Sequence, residues 1–165
     1  MKRAGALTLD PVARLLATGF FLGYSPAAPG TVGALGFAAL LWFLVPTGAP
    51  AAAPVGLLVM LLSVLAFLAL AIWAASAAER AFGHDSSRIV VDEFAGMLVA
   101  VLFLPKSLTV YGAAFVLFRI ADILKPFPGR RVESLPGGLG VVADDVVAGL
   151  YANVLVRLMM AAGSW

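Results

Sequence analysis

The feature that most constrains the fold is a long apolar run without a single charged side chain. It extends from Val55 to about Ala78 and is the longest apolar segment in the chain. At about 1.5 Å per residue, a helix over these positions is long enough to cross a hydrocarbon core of roughly 30 Å. The run therefore predicts a membrane-spanning helix.

The composition of the whole chain points to the same class of protein. Of its 165 residues, 62% are apolar and only 12% are charged, and the mean hydropathy is +1.04. These proportions lie well outside those of soluble domains. We expect an all-α integral membrane bundle with short and interfacial helices, forming one domain over residues 1–165. The absence of cysteine excludes thiolate metal sites and cysteine nucleophiles, and a net charge of +2 is too small to suggest nucleic-acid binding.

Turn residues divide the rest of the chain into shorter apolar segments. Residues 11–22 are typical of an interfacial helix that begins with Pro11 after Asp10, a candidate N-cap. A second helix is predicted from about Thr31 to Leu44. Further apolar segments are predicted at about 89–104, 110–124 and 141–162. Several are short for complete spans unless they include their carboxylates, which would then face protein or a wet cleft at membrane depth.

Charge is distributed unevenly between the two ends of this predicted bundle. If five segments cross, beginning with the helix at 31–45, then the N-terminus, 79–93 and 119–145 share one side. That side carries nine of the eleven Lys and Arg residues and all nine acidic residues. By the positive-inside rule this side is cytoplasmic. We therefore expect a multi-pass membrane protein whose polar site faces the cytoplasm.

Acidic side chains gather at the predicted helix ends on this side. The set consists of Asp92, Glu93, Asp122, Asp144 and Asp145. Ionisable groups within apolar segments are costly, so a functional site is the default interpretation. Such a set could hold one or two Mg²⁺ ions, which take carboxylate, water and phosphate oxygens as ligands. Helix capping is the simpler explanation for Asp92 or Asp144 alone, but it does not explain Glu93 beside Asp92 or Asp122 at a helix C-terminus.

A turn-rich loop at 23–33 is a candidate phosphate cradle. Ser25, Gly30 and Thr31 lie there before an apolar helix, where free backbone N–H groups favour an anion. The loop matches neither a Walker sequence nor a dinucleotide fingerprint. A plain turn with Thr31 as the N-cap is an equally good interpretation.

Basic residues near the acidic set are further candidates for phosphate binding. Arg119 and Lys125 share a helix face with Asp122 at spacings of three. They pair with carboxylates, contact substrate, or do both. Arg130 and Arg131 would suit a phospholipid headgroup, although an ordinary cytoplasmic flank is the favoured interpretation.

The single histidine, His84, lies in a polar loop beside Asp85 and shortly before Asp92. It is a candidate general acid or base. A solvated loop residue is an equally good interpretation of this setting.

Four blocks of sequence, in order, resemble the phosphatidylglycerophosphatase A family of bacterial inner-membrane lipid phosphatases. The blocks are GFFLGYSPAAPGTVGAL (19–35), HDSSRIVVDEFAGM (84–97), FRIADILKPFP (118–128) and GGLGVVADDVVAG (137–149). The resemblance implies an all-α membrane fold and Mg²⁺-dependent hydrolysis of phosphatidylglycerophosphate to phosphatidylglycerol and phosphate. It points to the acidic set and to the loop at 25–31 as the site.

Elimination among phosphatase mechanisms leads to the same chemistry. Cysteine is absent, a single histidine cannot form a two-histidine site, and no DxDxT motif occurs. What remains is a water activated by Mg²⁺, with the acidic set as ligands and with Arg119, Lys125 and the 25–31 loop holding phosphate. His84 would protonate the leaving glycerol oxygen.

Three alternatives remain open at this point. One is a phosphatase of another lipid phosphate, and another is a CDP-alcohol transferase, although the long aspartate pattern of that family is missing. The third is a small transporter with intramembrane carboxylates, which predicts polar groups at mid-membrane and pseudo-repeated halves. Gly96, Gly112 and Gly149 permit close helix packing within or between protomers, so a homo-oligomer is compatible with the sequence.

Overall fold

In the computed structural model, which describes residues 10–45, 54–83 and 86–163, every regular element is helical. In chain order the elements are α1 (Pro11–Ala17), a short 3-10 helix (Leu22–Tyr24), α2 (Pro29–Leu44), α3 (Pro54–Phe82), α4 (Val91–Val101), α5 (Leu108–Leu124), α6 (Gly129–Glu133) and α7 (Gly138–Ala161). The predicted all-α class is confirmed.

Local sequence signals explain where α1 begins and ends. The Asp10 carboxylate accepts hydrogen bonds from the N–H groups of Val12 at 2.7 Å and Ala13 at 3.3 Å, which confirms the predicted N-cap. The helix is shorter than the predicted 11–22 because residues 19–21 all adopt positive φ. Left-handed backbone cannot continue a right-handed helix.

The start of α2 was predicted too late. Ala28 adopts a left-handed conformation and precedes Pro29, the first residue of the helix. Proline is well suited to this place because the first helical N–H has no partner within the helix. The N-cap position is therefore Ala28 rather than Thr31, while the helix ends at Leu44 as predicted.

Two of the described helices, α3 and α7, are long and apolar enough to cross a membrane. α3 has 29 residues, a length of about 43 Å at 1.5 Å per residue. Very little of its most apolar part is buried, and Leu58, Leu62 and Leu65 are among its exposed side chains. Half of the most apolar part of α7 is buried, and this helix begins at Gly138, three residues before the predicted start.

α4 is the central helix, and nine of its eleven residues are buried. It packs against α2, α3, α5 and α7. Two glycines allow its close approach to α7. A Cβ atom on Gly149 would overlap the carbonyl oxygen of Gly96, and one on Gly96 would lie 2.7 Å from the carbonyl oxygen of Asp145. The permissive glycines of the sequence thus serve packing within the protomer at these two positions.

A side chain of α7 binds the C-terminal end of α4. The amide nitrogen of Asn153 donates to the carbonyl oxygens of Val99, Ala100 and Leu102 at distances of 3.1, 3.1 and 2.9 Å. These bonds add to the partners of carbonyl groups at the helix end, where the Val99 carbonyl also accepts from the Leu102 N–H. α4 stops at Val101, before the predicted Leu104, and Phe103 then adopts a positive φ that a right-handed helix cannot continue.

The connection from α5 to α7 contains a short helix that the sequence analysis did not predict. α5 ends at Leu124, and Lys125 adopts a left-handed conformation before Pro126, as expected for a helix stopped by proline. The short helix α6 then follows, which was not predicted. It folds the chain back onto α7, so Lys125 and α6 lie beside the first turns of that helix.

Candidate active site formed by a buried carboxylate cluster

Asp92 and Glu93 enter the site from the first turn of α4. Asp92 is 7% exposed, and the Glu93 side chain is 13% exposed. Carboxylates favour the N-terminal end of a helix dipole, which offsets a small part of the cost of burial. The residue at the N-cap position is Val90, so capping does not account for Asp92.

Asp144 and Asp145 lie in the interior of α7, where Asp145 is grouped with the carboxylates of α4 and Asp144 contacts Lys125. They are its seventh and eighth residues, about two turns inside the helix, and are 4% and 5% exposed. They lie three residues deeper in the helix than predicted, because α7 begins at Gly138 rather than at about Val141. Their position removes capping as an explanation and brings Asp145 next to Gly96 on α4.

Asp122, near the end of α5, completes the acidic cluster through Arg119. The guanidinium Nη1 lies 2.5 Å from the Asp122 carboxylate and 3.6 Å from Glu93. The predicted helix face shared by Arg119 and Asp122 is confirmed. Among the described residues Nε and Nη1 have no hydrogen-bond partner of good geometry, although Nη1 is ion-paired with Asp122. Arg119 therefore keeps donors that an additional anion can use.

The five carboxylates form two overlapping groups. Asp92, Glu93 and Asp145 present oxygen atoms within 4.8 Å of one another, and so do Asp122, Asp144 and Asp145. Asp145 belongs to both groups, so it occupies the centre of the cluster. The topology thus brings together all five acidic residues that the sequence selected.

Three buried oxygen atoms in the cluster have no hydrogen-bond partner among the described residues. They are Asp92 Oδ1, Glu93 Oε2 and Asp145 Oδ2. Buried polar atoms are normally paired, and like charges this close repel each other unless a cation or a proton intervenes. Hard, anionic oxygen donors are the ligands that Mg²⁺ takes, so the residues present fit that ion.

Lys125 lies at the edge of the cluster, where its ammonium bridges two carboxylates. Nζ lies 2.8 Å from Asp144 and 2.6 Å from Glu133 on α6. Partial burial lowers the pKa of Lys125, but hydrogen bonds and charge attraction from Asp144 and Glu133 together outweigh it and raise the pKa above its ordinary value. Lys125 therefore remains cationic at neutral pH. Its partner is Asp144 rather than Asp122, with which the sequence had grouped it.

Gly30 brings the N-terminal end of α2 against the cluster. A Cβ atom on Gly30 would overlap Glu93 Oε1 and lie 3.1 Å from Arg119 Nη2. The other residues of the predicted phosphate cradle are placed less closely to it. The Ser25 hydroxyl donates to the Ala27 carbonyl at 2.9 Å, and Thr31 follows in the first turn of α2, half-buried.

Two residues beside the cluster were not selected from the sequence. Glu133 pairs with Lys125, and Gly129 approaches Asp144 so closely that a Cβ atom would lie 2.8 Å from Oδ1. Both belong to α6, and the sequence signal for a helix of only five residues is weak. The predicted acid or base His84 and its neighbour Asp85 lie outside the described residues.

Comparison with known proteins identifies the family of this chain. The family model for phosphatidylglycerophosphatase A matches residues 15–160. A Bacteroides thetaiotaomicron protein named "Putative phosphatidylinositol-3-phosphatase" is 43% identical over 151 residues, which cover 87% of this chain and 91% of that protein.

Two further relatives carry the family name. The phosphatidylglycerophosphatase A of Escherichia coli is 39% identical over 141 residues, covering 84% of this chain and 77% of that protein. The enzyme of the same name from Haemophilus influenzae is 36% identical over 151 residues, covering 90% and 88%. No solved structure shows a significant match. Because the family model covers most of the chain, the protein belongs to the phosphatidylglycerophosphatase A family.

Proposed function

We propose that the protein hydrolyses the terminal phosphomonoester of phosphatidylglycerophosphate, giving phosphatidylglycerol and inorganic phosphate. Family membership supports a lipid phosphatase. The observation that carries the proposal is the buried cluster of five carboxylates with three unpaired oxygen atoms beside two cationic side chains. A phosphate monoester is an anion, so anionic residues alone cannot bind it. The cluster requires cations, and Mg²⁺ with Arg119 and Lys125 supplies them.

The acidic residues Asp92, Glu93, Asp122, Asp144 and Asp145 would hold one or two Mg²⁺ ions. When bound, Mg²⁺ neutralises phosphoryl oxygens and lowers the pKa of a nearby water. In the reaction a bond forms between water oxygen and phosphorus, and the bond from phosphorus to the glycerol oxygen breaks. A carboxylate of the cluster accepts the proton of the water, and the glycerol oxygen gains a proton as it leaves.

The chain's own cations and its backbone would orient the phosphate. The N–H groups of Arg119 that lack a hydrogen-bond partner would donate to a phosphoryl oxygen of the substrate. Gly30 leaves space for a ligand to approach Glu93 and Arg119 because it has no side chain. Lys125 holds Asp144 in place and contributes positive charge at the edge of the site.

The substrate's acyl chains would stay in a bilayer while its headgroup enters the cluster. The exposed apolar surface of α3 supports membrane embedding, and the positive-inside distribution supports a bacterial inner membrane with the cluster facing the cytoplasm. An apolar groove between α2 and α5, lined by Trp42, Phe43 and Tyr111, has a volume of about 280 Å³. Its almost entirely apolar lining lacks the groups that bind phosphate.

The test is phosphate release from phosphatidylglycerophosphate in neutral detergent micelles. Wild-type protein should release phosphate only with Mg²⁺ and should lose activity on chelation. Asp145→Asn should reduce kcat by at least roughly a hundredfold, because it removes the charge shared by both carboxylate groups. Asp10→Asn is the matched control, since asparagine also caps a helix. If the folded wild type releases no phosphate, the proposed phosphatase activity is wrong. If Asp145→Asn is fully active, Asp145 is not at the centre of the active site.

A second candidate function is hydrolysis of another lipid phosphate. The Bacteroides relative, named as an inositol-lipid phosphatase, favours it. Measuring kcat/KM for phosphatidylglycerophosphate and for a phosphorylated inositol lipid on the same preparation decides between the two functions. The transporter alternative is less well supported, because the acidic side chains of the described bundle collect at one end of the helices rather than at their middle.

A further inference from the structure

A basic groove beside the carboxylate cluster is not explained by phosphomonoester hydrolysis. It lies in the connection from α5 to α6 and has a volume of about 450 Å³. Its lining combines cationic and apolar side chains, namely Leu124, Lys125, Pro126, Phe127, Pro128, Arg130 and Arg131. Leu124 and Phe127 are 64% and 69% exposed, so the rim of the groove is apolar.

The two arginines of this groove form no ion pair within the part of the chain that the structure describes. No acidic side chain among the described residues pairs with Arg130 or Arg131, whereas Arg119 and Lys125 are both paired. The Arg131 guanidinium instead lies 4.9 Å from the centre of the Phe127 ring. Stacking on an aromatic ring orients a guanidinium and leaves its N–H groups free for an anion.

Lys125 connects this groove with the carboxylate cluster. Its side chain lines the groove, while its ammonium lies 2.8 Å from Asp144 in the cluster. The loop is also fixed to α7 farther along, because the Tyr151 hydroxyl donates to the Phe127 carbonyl at 2.6 Å. Asp144 and Tyr151 are seven residues apart and therefore on one face of α7. Two contacts with α7 therefore fix the groove beside the helix that carries Asp144 and Asp145.

We infer that the groove binds the phosphodiester of the substrate lipid while the carboxylate cluster takes its phosphomonoester. This inference rests on the proposed function. Phosphatidylglycerophosphate carries both groups, joined through one glycerol, so a single headgroup presents two anions to two neighbouring sites. The diester has one negative charge and two free oxygens, which suits guanidinium donors. The apolar rim accommodates the start of the acyl chains next to it.

Product chemistry makes the groove testable apart from the reaction. Phosphatidylglycerol keeps the phosphodiester and has lost the phosphomonoester, so it should occupy the groove alone. Inorganic phosphate resembles the other part of the substrate and should occupy the cluster alone. We therefore expect changes at Arg130 and Arg131 to weaken inhibition by phosphatidylglycerol but not inhibition by inorganic phosphate.

The experiment compares wild type, Arg130→Gln/Arg131→Gln and, as matched control, the exposed Arg80→Gln. Short-chain phosphatidylglycerophosphate is used as monomers in neutral detergent, so no neighbouring anionic lipid is present. The double variant should raise KM by at least roughly tenfold with kcat within about twofold, because binding is lost equally before and during reaction. Inhibition by short-chain phosphatidylglycerol should weaken to a similar degree, and inhibition by inorganic phosphate should stay unchanged.

Each other outcome contradicts the inference in a recognisable way. Unchanged KM and unchanged product inhibition, with an active wild type, mean that the arginines are an ordinary cationic flank. A loss seen only in mixed micelles that contain anionic lipid means that the groove binds bulk lipid instead of substrate.

Failure of the proposed function gives a different pattern. Calorimetric binding of short-chain phosphatidylglycerol measures the groove without turnover. In one outcome the wild type releases no phosphate and still binds this lipid, while the double variant does not bind it. That result would support lipid binding by the groove and contradict the phosphatase activity. Equal lipid binding by wild type and double variant overturns the groove whatever the activity.

Discussion

At the scale of single residues, space matters as much as charge. Gly30 is the clearest case, because its α-carbon lies where any side chain would collide with Glu93 and crowd Arg119. Its backbone φ is not in the left-handed region, so alanine is conformationally acceptable there. The requirement for glycine is therefore one of close approach to the site.

Gly30→Ala should lower kcat/KM by roughly tenfold to a hundredfold, because a shift of about 1 Å in a site residue is costly. Gly112→Ala is the matched control, since a Cβ atom there meets nothing within 4 Å and alanine favours the helix. Phosphate release and thermal unfolding in detergent measure both variants. A fully active Gly30→Ala protein would show that Glu93 and Arg119 tolerate displacement and are not held for catalysis.

At the scale of elements, the contact between α4 and α7 assembles the cluster. These two helices carry four of the five carboxylates. They approach closely because Gly149 has no side chain towards the Gly96 carbonyl, and Gly96 has none towards the Asp145 carbonyl. Asn153 reinforces the contact by satisfying carbonyl groups at the end of α4.

Gly149→Ala should reduce stability and activity together. The added methyl group would overlap the Gly96 carbonyl, so α7 must move away from α4. Overpacking of this kind costs roughly 1–3 kcal/mol of unfolding free energy, and it also separates Asp145 from Asp92. Thermal unfolding and phosphate release are measured beside Leu150→Ala, a neighbour that is 53% exposed. Lower stability with unchanged kcat would mean that the spacing of the two helices is not needed for chemistry.

At the scale of the whole molecule, the helices place the carboxylate cluster at one end of the bundle. The N-terminal ends of α2, α4 and α7 and the C-terminal end of α5 meet at the cluster. The opposite end holds the start of α5, so residues 109 and 134 lie towards different ends. In a bilayer these two ends would face different compartments.

Because the chain has no cysteine, single cysteines can report this sidedness without background. Thr109→Cys and Ser134→Cys both replace exposed positions. In right-side-out spheroplasts a membrane-impermeant maleimide should label the first variant directly. The second variant should be labelled only after lysis. The reverse pattern would contradict the proposed cytoplasmic orientation, and equal labelling without lysis would contradict a membrane-spanning arrangement.

Sequence reasoning was most successful where a single local signal decides the structure. Asp10 as an N-cap, the end of the predicted 110–124 segment at Leu124 and the helix face shared by Arg119 and Asp122 follow from interactions within a few residues. It failed where a distant contact decides. The early end of α4 is bound by Asn153 of another helix, and α6 forms next to α7 although it is too short to be stable alone.

The sequence by itself determined the helical class, the family and the identity of the acidic residues. Long apolar runs without charges favour helices, which satisfy their own backbone hydrogen bonds, and five carboxylates among so few charges stand out. Only the tertiary structure decided that Asp145 belongs to both groups of carboxylates, that Gly30 opens the cluster and that Lys125 pairs with Asp144 and Glu133. These relations depend on how closely separate helices approach, which side-chain packing sets and local sequence does not encode.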